Sequence, residues 1–367
     1  MRVLHVVRPA MGGMRRHVAE LCRGLRRFGV DCHVAAPPGM AEWFAEAGER
    51  VPLEIAAGLS PLRDLQTAFR LRAVSRGYPV VHCHGLRAAW IGWLAKLEPP
   101  VRRVITLHNV PLTRRLPQRL AIRMSLTHAA VLIAVSEAVA AAVRPLLQAE
   151  SRVEVIPNGV HLPSTTDRAS ARARLGVNLT APVLLAVGRL SPEKGFHVLI
   201  EALAGLGDQC PLTWIVGDGP ERSMLEVQLR ALGLESRVTL IGYQETLDPY
   251  YDAADLIVVP SLTEGQGLVA LEAMAHGRAV LASRVGGLPE VVQDGVTGRL
   301  IPHGDAEVLR RTIVEMLRQP DRLEAMGREG RERVTREFSA EAMLRRHVEV
   351  YRSLVPADVS PSVTSTS

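Results

Sequence analysis

The chain has 367 residues, of which 47% are hydrophobic and 22% charged. Those proportions are typical of a globular protein, and the length suits two domains of ordinary size. The most hydrophobic run, residues 129–143, contains Ser136 and Glu137 and falls short of a membrane span. The apolar run at residues 3–7 is too short for the core of a signal peptide. We therefore expect neither a transmembrane helix nor a signal peptide.

Charge is distributed unevenly between the two halves of the chain. The formal net charge is +6, but residues 1–160 carry 22 basic and 11 acidic side chains, whereas residues 161–367 carry 22 and 27. This asymmetry favours a first half that meets an anionic surface, either lipid phosphate, a bilayer or nucleic acid. Only 4% of the residues are aromatic and no nucleic-acid-binding motif is present, so we expect no nucleic-acid partner.

The four cysteines give no sign of a metal site in their spacing. Cys22, Cys32, Cys83 and Cys210 form no CxxC pair and lack the intervals of metal ligands. We predict buried free thiols in a reducing cytosol, and no metal site.

Short β-rich apolar runs alternate with amphipathic helical stretches through the first half. The predicted strands are residues 3–7, 31–36, 51–54, 80–83, 103–107, 131–135 and 153–156, with helices such as 14–28 and 61–76 between them. This alternation predicts an α/β fold in which helices cover both faces of a parallel sheet. Ligand contacts then belong at the carboxyl ends of the strands.

The second half repeats the alternation after a connecting segment. Asn158-Gly159 is a strong turn signal, and residues 161–181 are rich in Pro, Ser, Thr and Asp. Further strands are predicted at 182–187, 213–216, 238–241, 256–259, 279–282 and 298–301, followed by helices at 321–337 and 340–354. The Ser-, Thr- and Pro-rich tail is predicted to be disordered.

Candidate functional residues of the first half fall at predicted strand ends. Gly12 and Gly13 follow the first strand, His82 and His84 end the fourth, and His108 follows the fifth. Each is weak evidence alone, because a glycine pair is usually a turn and a single histidine is usually structural. Gly12-Gly13 does not match GxGxxG, so a dinucleotide fingerprint is not present.

Two cations stand in a glycine-bounded loop after the first strand of the second half. Arg189 and Lys194 lie between Gly188 and Gly195. Such a pair at the carboxyl end of a strand can neutralise a diphosphate leaving group. The alternative is a surface arginine and lysine in an ordinary loop.

The segment from Glu264 to Ala275 is the most informative part of the sequence. It follows an apolar strand, and Gly265 and Gly267 leave backbone N–H groups unshielded at a predicted helix start, where a phosphate is favoured. Glu264 and Glu272 lie roughly 10 Å apart along the chain, too far to share a proton but able to hold hydroxyls at two parts of one ligand. The pattern suggests a sugar nucleotide. The alternative is a helix whose carboxylates complement its dipole and face solvent.

With these segments in this order, the chain resembles glycosyltransferase family 4, retaining enzymes of the GT-B architecture. The resemblance covers residues 1 to about 354. The matching segments are residues 12–13, 82–84, 106–108, 156–160, 187–190, 194–195, 217–220, 264 with 272, 286–290, 294–295 and 297–298.

The resemblance implies an α/β protein of two Rossmann-like domains that face each other across a cleft. The expected divisions are an N-terminal acceptor domain at 1–165, a C-terminal nucleotide-sugar domain at 166–337, a helix returning to the N-terminal domain at 338–355, and the tail at 356–367.

The resemblance also implies roles for individual residues. Arg189 and Lys194 would hold the diphosphate, and Glu272 the ribose hydroxyls. Glu264 would hold the transferred sugar, whose primary hydroxyl would contact His108. The remaining donor-binding positions would be Gly12, Gly13, Gly188, Gly217, Gly219, Gly265, Gln266, Gly267 and Leu268. His108, Arg189, Lys194 and Glu264 would form the catalytic group.

Two positions depart from the family pattern. Gln266 stands where an aromatic residue, usually Phe, is common, so the backbone contacts survive while local packing or sugar fit changes. Asn109 stands where Asp often follows the histidine, and a neutral amide cannot act as a base. Double displacement would need a carboxylate under the anomeric carbon. Front-face attack, in which the leaving phosphate oxygen takes the acceptor proton, is therefore the preferred hypothesis.

The donor and cofactor requirements follow from the same resemblance. No Asp-x-Asp occurs in the sequence, so we expect metal-independent chemistry and no cofactor. The expected donor is a UDP-hexose or UDP-N-acetylhexosamine, ahead of GDP-mannose. A nucleotide-sugar epimerase on the same scaffold is the alternative function, because its chemistry also needs carboxylates or histidines around a sugar.

The acceptor is expected to be a glycan, a lipid-linked molecule or a small molecule, in the synthesis of a surface polysaccharide or glycoconjugate. Residues 109–123 mix four arginines with Leu, Ile and Pro, a composition that could rest on anionic lipid or grip a polyprenyl diphosphate. The alternative is a solvated basic helix. We expect a cytoplasmic protein with peripheral contact to the inner face of the plasma membrane through its basic domain.

Overall fold

The computed structural model describes residues 1–9, 13–44, 47–56, 58, 60–111, 116–177 and 181–355, with residues 41–43 described by their backbone. Contacts divide the chain into two compact units. The first contains residues 1–135, 139–156 and those from 341 onward, and the second contains 136–138 and 157–340. Residues 157–165, which we assigned to the first domain, lie with the second, where Val160 N donates to Phe338 O at 3.0 Å. The predicted disordered tail lies outside the described residues.

A parallel sheet forms the centre of the first unit. Its strands are β1 (Arg2–Val7), β2 (Asp31–Ala36), β3 (Glu49–Pro52), β4 (Val80–His84), β5 (Arg102–Leu107), β6 (Val131–Ala134) and β7 (Val153–Val155). They lie in the order β3-β2-β1-β4-β5-β6-β7. Because β1 pairs with both β2 and β4, the direction of chain progress across the sheet reverses at β1 and β4.

The second unit has a parallel sheet of the same plan. Its strands are β8 (Val183–Val187), β9 (Leu212–Val216), β10 (Val238–Gly242), β11 (Leu256–Val259), β12 (Ala279–Ser283) and β13 (Gly298–Ile301). They lie in the order β10-β9-β8-β11-β12-β13, so the reversal here falls between β8 and β11.

Helices cover both faces of each sheet. In chain order the helices of the described residues are α1 (Gly13–Leu25), α2 (Pro61–Ser75), α3 (Gly85–Leu94), α4 (Leu116–Leu126), α5 (Glu137–Val143), α6 (Arg168–Arg174), α7 (Phe196–Ala204), α8 (Arg222–Ala231), α9 (Asp248–Ala253), α10 (Leu268–Ala275), α11 (Leu288–Val291), α12 (Ala306–Leu317), α13 (Pro320–Glu337) and α14 (Ala340–Leu354). None of the helices in this part of the chain is long and apolar enough to cross a membrane.

The central strands are largely apolar because both of their faces are buried. In β1 the residues alternate between two cores: Val3 and Val7 belong to the core that includes α1 and α14, and Leu4 and Val6 to the core on the opposite face. The predicted α/β class with parallel sheets is confirmed.

The last helix, α14, packs on the first unit although the preceding helix belongs to the second. Leu344 is 1% exposed and lies against Gly24 of α1, where an added Cβ would come within 2.5 Å of its Cδ1. Tyr351 is fully buried, and its hydroxyl lies 2.6 Å from Nδ1 of His82. This packing agrees with the helix that the resemblance led us to expect at the end of the chain.

Every predicted strand has a counterpart, and the largest boundary error is at β3. We expected residues 51–54, whereas the strand runs from Glu49 to Pro52. Glu49 and Arg50 are exposed on this edge strand, so the apolar pattern used for the prediction does not include them.

Candidate active site

The loops after β8 and β11 meet at the point where the strand order of the second unit reverses. In open parallel sheets the loops that follow such neighbouring strands diverge and leave a crevice for a ligand. The β8 loop carries Arg189 and Lys194, and the β11 loop carries Glu264. Leu262 N donates to Glu193 O at 2.8 Å, which fastens the two loops to each other.

Lys194 and Glu264 form an ion pair across these loops. Lys194 Nζ donates to Glu264 Oε2 at 2.6 Å, and Ser261 Oγ donates to the same oxygen at 3.1 Å. The two charged side chains are 24% and 12% exposed. The sequence suggested separate roles for these residues but did not predict that they pair. Arg189 is exposed on the same loop.

Glycines allow the close approach that this pairing needs. Gly195 has φ +67° and follows the short 3-10 turn that contains Lys194, and a Cβ at this position would lie 2.1 Å from Pro260 O. Gly267 has φ +101° at the start of α10, and its Cβ would lie 2.5 Å from Leu288 Cδ2. Both conformations disfavour other residues. Gly195 therefore lets the loop that carries the cations lie against the end of β11, and Gly267 lets α10 begin against α11.

Gly188, Gly217 and Gly219 bring the loops after β8 and β9 together. Gly188 N donates to Val216 O at 3.0 Å, and Leu190 N donates to Asp218 O at 3.0 Å. A Cβ at Gly217 would lie 1.9 Å from Gly188 O, and one at Gly219 would lie 2.3 Å from Leu190 O. The structure therefore gives Gly217 and Gly219 a packing role beneath the Arg189 loop, whatever contact they make with a ligand.

Glu272 on α10 is oriented by a residue that the sequence analysis missed. The hydroxyl of Tyr251 donates to Glu272 Oε2 at 2.8 Å. Tyr251 is 1% exposed and stacks on His276 with ring centroids 5.0 Å apart. His276 Nδ1 in turn lies 2.7 Å from Asp252 Oδ1. In the sequence, Tyr251 is a tyrosine shortly before β11, and no local pattern links it to Glu272, 21 positions later.

Gln266, one of the two departures from the family pattern, holds the Asn158 turn. Its Oε1 accepts from Asn158 N at 2.7 Å and from Nδ2 at 2.6 Å, and its Nε2 donates to Asn158 O at 3.2 Å. Gln266 is 3% exposed. The side chain therefore replaces aromatic packing by three hydrogen bonds. Gly265, Gly267 and Leu268 flank it along the loop that starts α10.

His108 lies in the first unit, where it ends a connected series of buried imidazoles. His84 Nδ1 is 3.2 Å from His108 Nε2, and His84 Nε2 is 3.0 Å from His5 Nδ1. His82 is held separately: its Nε2 lies 2.7 Å from Thr106 Oγ1 and its Nδ1 contacts Tyr351. His84 ends β4 and His108 follows β5, whereas His5 and His82 lie within β1 and β4. They meet because these three strands are neighbours in the sheet.

Burial keeps His84, His108 and His347 neutral. Desolvation, with smaller contributions from His347 and Arg8, lowers the pKa of His108 to about 3. Burial is also the main cause that lowers the pKa of His347 to about 4 and the pKa of His84 well below its ordinary value. Asn109 beside His108 is exposed. At neutral pH His84 and His108 therefore offer lone pairs and N–H groups rather than charge.

Some predicted site residues are not placed by the structure. Gly12 and the arginines at 114 and 115 lie outside the described residues. Gly13 is the first residue of α1 and is exposed.

Two family models together match most of the chain. The model for glycosyl transferases group 1 matches residues 167–333, and the model for Glycosyltransferase Family 4 matches residues 11–163.

Several curated relatives of the chain are named D-inositol 3-phosphate glycosyltransferase. A D-inositol 3-phosphate glycosyltransferase of Salinispora tropica is 34% identical over 396 residues, which covers 94% of this chain and 81% of that protein. Another, from Mycobacterium sp. strain KMS, is 36% identical over 262 residues, 65% of this chain. The match covers 59% of that protein's length, so the chain spans about three fifths of it.

Among solved structures, sucrose-phosphate synthase from Thermosynechococcus elongatus is similar over nearly the whole chain. The TM-score is 0.86 at 26% identity, with 96% of this chain and 98% of the other covered. None of these three proteins is named as an epimerase, so the alternative function gains no support.

We predict that the first unit loses stability as the pH falls from 7.5 to 5. His347 and His108 stay neutral when folded, with pKa values of about 4 and about 3, but take up protons near pH 6.5 when unfolded. Their contribution is present above pH 6.5 and is lost toward the folded pKa values, by about 2 kcal/mol for each at pH 5. Urea titration followed by tryptophan fluorescence measures it, in a Trp214→Phe background that removes the tryptophan of the second unit.

Two variants test the origin of this pH dependence. His347→Gln should reduce it by about 2 kcal/mol at pH 5, because one of the two buried titratable groups is gone, whereas His128→Asn at an exposed site should leave it unchanged. An unfolding free energy that is equal at the two pH values would contradict the prediction.

Proposed function

The chain belongs to glycosyltransferase family 4 and is a glycosyltransferase of the GT-B fold, and on that premise we propose the reaction it catalyses. It transfers a hexosyl or N-acetylhexosaminyl group from a nucleoside diphosphate sugar, with net retention of configuration at the anomeric carbon. The observation that carries this proposal is the Lys194–Glu264 pair at the strand-order reversal of the second unit. A cation for phosphate and a carboxylate for sugar hydroxyls stand there side by side.

The diphosphate binds in this proposal between the β8 loop and the start of α10. Arg189 and Lys194 supply two positive charges, and the first N–H groups of a helix have no acceptor within the helix. Lys194 already neutralises Glu264. Arrival of the diphosphate draws Lys194 to the phosphate oxygens and leaves the Glu264 carboxylate to accept hydrogen bonds from sugar hydroxyls.

In this proposal the ribose hydroxyls donate hydrogen bonds to the carboxylate of Glu272. A carboxylate accepts two hydroxyl donors well when its position is fixed. Tyr251 supplies this fixation from a buried position and takes one lone pair of Oε2. Glu272 is thereby held in one orientation, which lowers the entropy lost on binding.

The sugar is held by Glu264 and by the backbone of Gly265, Gln266, Gly267 and Leu268. From the family resemblance, we assign His108 to the primary hydroxyl of the sugar and Gly12-Gly13 to the phosphates. His108 Nε2 is engaged with His84, so Nδ1 is the nitrogen assigned to the sugar. Because the pKa of His108 is lowered to about 3, this contact is a hydrogen bond to a neutral imidazole.

The transfer step proceeds on one face of the sugar. The bond between the anomeric carbon and the phosphate oxygen breaks, and a bond to the acceptor oxygen forms on the same face. The acceptor proton passes to the departing phosphate oxygen. Arg189 and Lys194 stabilise the negative charge that develops on this oxygen. Asn109 supplies no carboxylate for a covalent intermediate.

A UDP-hexose or UDP-N-acetylhexosamine is the proposed donor, and a phosphorylated small polyol or a lipid-linked glycan is the proposed acceptor. The relatives named as D-inositol 3-phosphate glycosyltransferases support an anionic acceptor. So does the excess of basic residues in the first 160 positions, because positive charge raises the local concentration of anionic ligands.

Lys194→Ala should reduce kcat/KM by at least about a hundredfold, because a donor aimed at transition-state charge contributes roughly 3 kcal/mol. The measurement is release of nucleoside diphosphate and of glycosylated acceptor. The matched control is Lys96→Ala, which changes the other lysine of the chain at an exposed position outside the site. Near-normal turnover of Lys194→Ala would refute the assignment, and epimerised donor in the absence of acceptor would refute the reaction.

Nucleotide affinity should depend on the Tyr251–Glu272 contact. A thermal-shift screen with UDP, GDP and ADP is expected to select UDP, and stabilisation by GDP alone would redirect the donor to GDP-mannose. Tyr251→Phe should then weaken binding of the selected nucleotide at least about tenfold, because one hydrogen bond to a charged group contributes about 1.5–3 kcal/mol, and Glu272→Ala should weaken it further. Tyr78→Phe removes a similarly buried hydroxyl from the first unit and should leave nucleotide affinity unchanged. Equal affinity in all variants would contradict the ribose assignment.

Contact with an anionic membrane should depend on α4. This helix exposes Leu116 (78%) and Leu120 (58%) beside the arginines at 119 and 123, the combination that favours an anionic bilayer surface. The protein should sediment with phosphatidylglycerol vesicles, and the Leu116→Ser, Leu120→Ser double variant should sediment less. Leu232→Ser, at an exposed leucine of the second unit, is the control. Absence of sedimentation at low salt would exclude the contact.

A further inference from the structure

Three soft ligand atoms converge in the core of the first unit, away from the proposed donor site. They are Nε2 or Nδ1 of His5 on β1, Sγ of Cys22 on α1 and Sγ of Cys32 on β2. The atoms all lie within 4.8 Å of one another, and each of the three side chains is fully buried. Their intervals in the sequence give no metal signature, because each residue comes from a different element.

The architecture explains why they meet. Cys32 pairs with Val3 in the parallel register of β1 and β2, so His5, two residues beyond Val3, lies on the same face of the sheet. Cys22 belongs to the core that covers this face, together with Val3 and Cys32. The sheet and α1 thus bring an imidazole and two thiols to one point in an otherwise apolar layer.

The unpartnered nitrogen of His5 identifies which cluster is built for a ligand. His5 Nε2 is buried without a hydrogen-bond partner among the described residues, whereas Nδ1 lies 3.0 Å from His84 Nε2. A buried polar atom without a partner is costly. A metal ion on Nε2 would remove that cost, and the contact of Nδ1 with His84 would orient the ring as an outer partner orients many metal-bound histidines.

The neighbouring histidine clusters are less suited to a metal. His84 is shared by both histidine triads whose ligand atoms converge. Its two nitrogens are already engaged, with His5 and with His108. A metal on His84 would have to break one of those contacts, whereas a metal between His5 Nε2, Cys22 and Cys32 breaks neither.

Charge selects the kind of metal. Two thiolates and a neutral imidazole around a divalent cation have no net charge, which suits a buried site. Thiolate and imidazole are the ligands that zinc prefers. Three protein ligands leave the fourth tetrahedral position to a water molecule, and this geometry places ligand atoms about 3.5–4 Å apart. From separations within 4.8 Å, closure takes side-chain shifts of about 1 Å or less.

The thiolate is the form of cysteine that binds a metal. Binding of a cation at this point would therefore release the protons of Cys22 and Cys32.

We propose that His5, Cys22 and Cys32 form a buried zinc site that stabilises the first unit. The site takes part in no step of sugar transfer. Because its ligands are enclosed, the metal enters as the unit folds, and its binding free energy adds to the stability of the folded state.

The test uses the full chain, unfolded in urea with a reductant and refolded with Zn²⁺, with Co²⁺ or with a chelator. After desalting, metal analysis should find about one zinc per chain. The cobalt form should show thiolate-to-cobalt absorption together with the visible bands of a tetrahedral ion. The zinc-refolded protein should require more urea to unfold than the chelator-refolded protein.

Cysteine variants locate the site. Cys22→Ser and Cys32→Ser should each lower zinc affinity at least tenfold and remove the cobalt spectrum. Cys83→Ser and Cys210→Ser alter the two other buried thiols and should retain both. Because stoichiometry and spectrum are first measured on the unmodified chain, the test does not depend on the folding of any variant.

Three results would overturn the proposal. The first is an unmodified chain that refolds equally well without metal and retains none. The second is loss of metal from the Cys83 and Cys210 variants to the same degree. The third is a mass 2 Da below that of the reduced chain, with Cys22 linked to Cys32, since a disulfide would remove both thiolates.

Discussion

The position of β8 beside β11 is the constraint on which the donor site depends. Both strands are buried on both faces and have no polar side chain to offer, so polar groups can only follow them, at their carboxyl ends. The strand order reverses here, which is the place in an open parallel sheet where ligands bind. Lys194 and Glu264 pair there at 2.6 Å, and Gly195 lets the loop after β8 lie against the end of β11. A strand order without the reversal would leave this edge covered by connections.

Around this centre, buried side chains fix the groups that a ligand would contact. A hydrogen bond from Tyr251 restrains Glu272, and hydrogen bonds of Gln266 link the loop before α10 to the turn at Asn158. Neither residue needs to touch a ligand to matter. A carboxylate or a loop that is already in position loses less entropy on binding, and this difference appears directly in affinity.

The sequence was sufficient for the architecture and for the residues that form loops, but not for their pairings. Alternating apolar runs located every strand, because parallel strands buried on both faces have a distinctive composition. The glycine-bounded loops indicated Arg189, Lys194 and Glu264 for the same local reason. The Tyr251–Glu272 and Cys22–Cys32 contacts join elements that are separate in the chain, so no local sequence pattern indicates them. Gln266 was recognised as a departure, but only the structure shows that Asn158 is its partner.

The row of imidazoles in the first unit has a directional consequence. A neutral imidazole carries a single N–H, so His84, placed between His5 and His108, must donate to one of them and accept from the other. The two hydrogen bonds therefore point the same way along the row. If His5 carries its proton on Nδ1, His5 donates to His84, His84 donates to His108, and His108 Nδ1 carries an N–H. If His5 carries its proton on Nε2, every tautomer inverts and His108 Nδ1 presents a lone pair. Whatever occupies Nε2 of His5 thus decides whether Nδ1 of His108, two imidazoles away, is a hydrogen-bond donor or an acceptor.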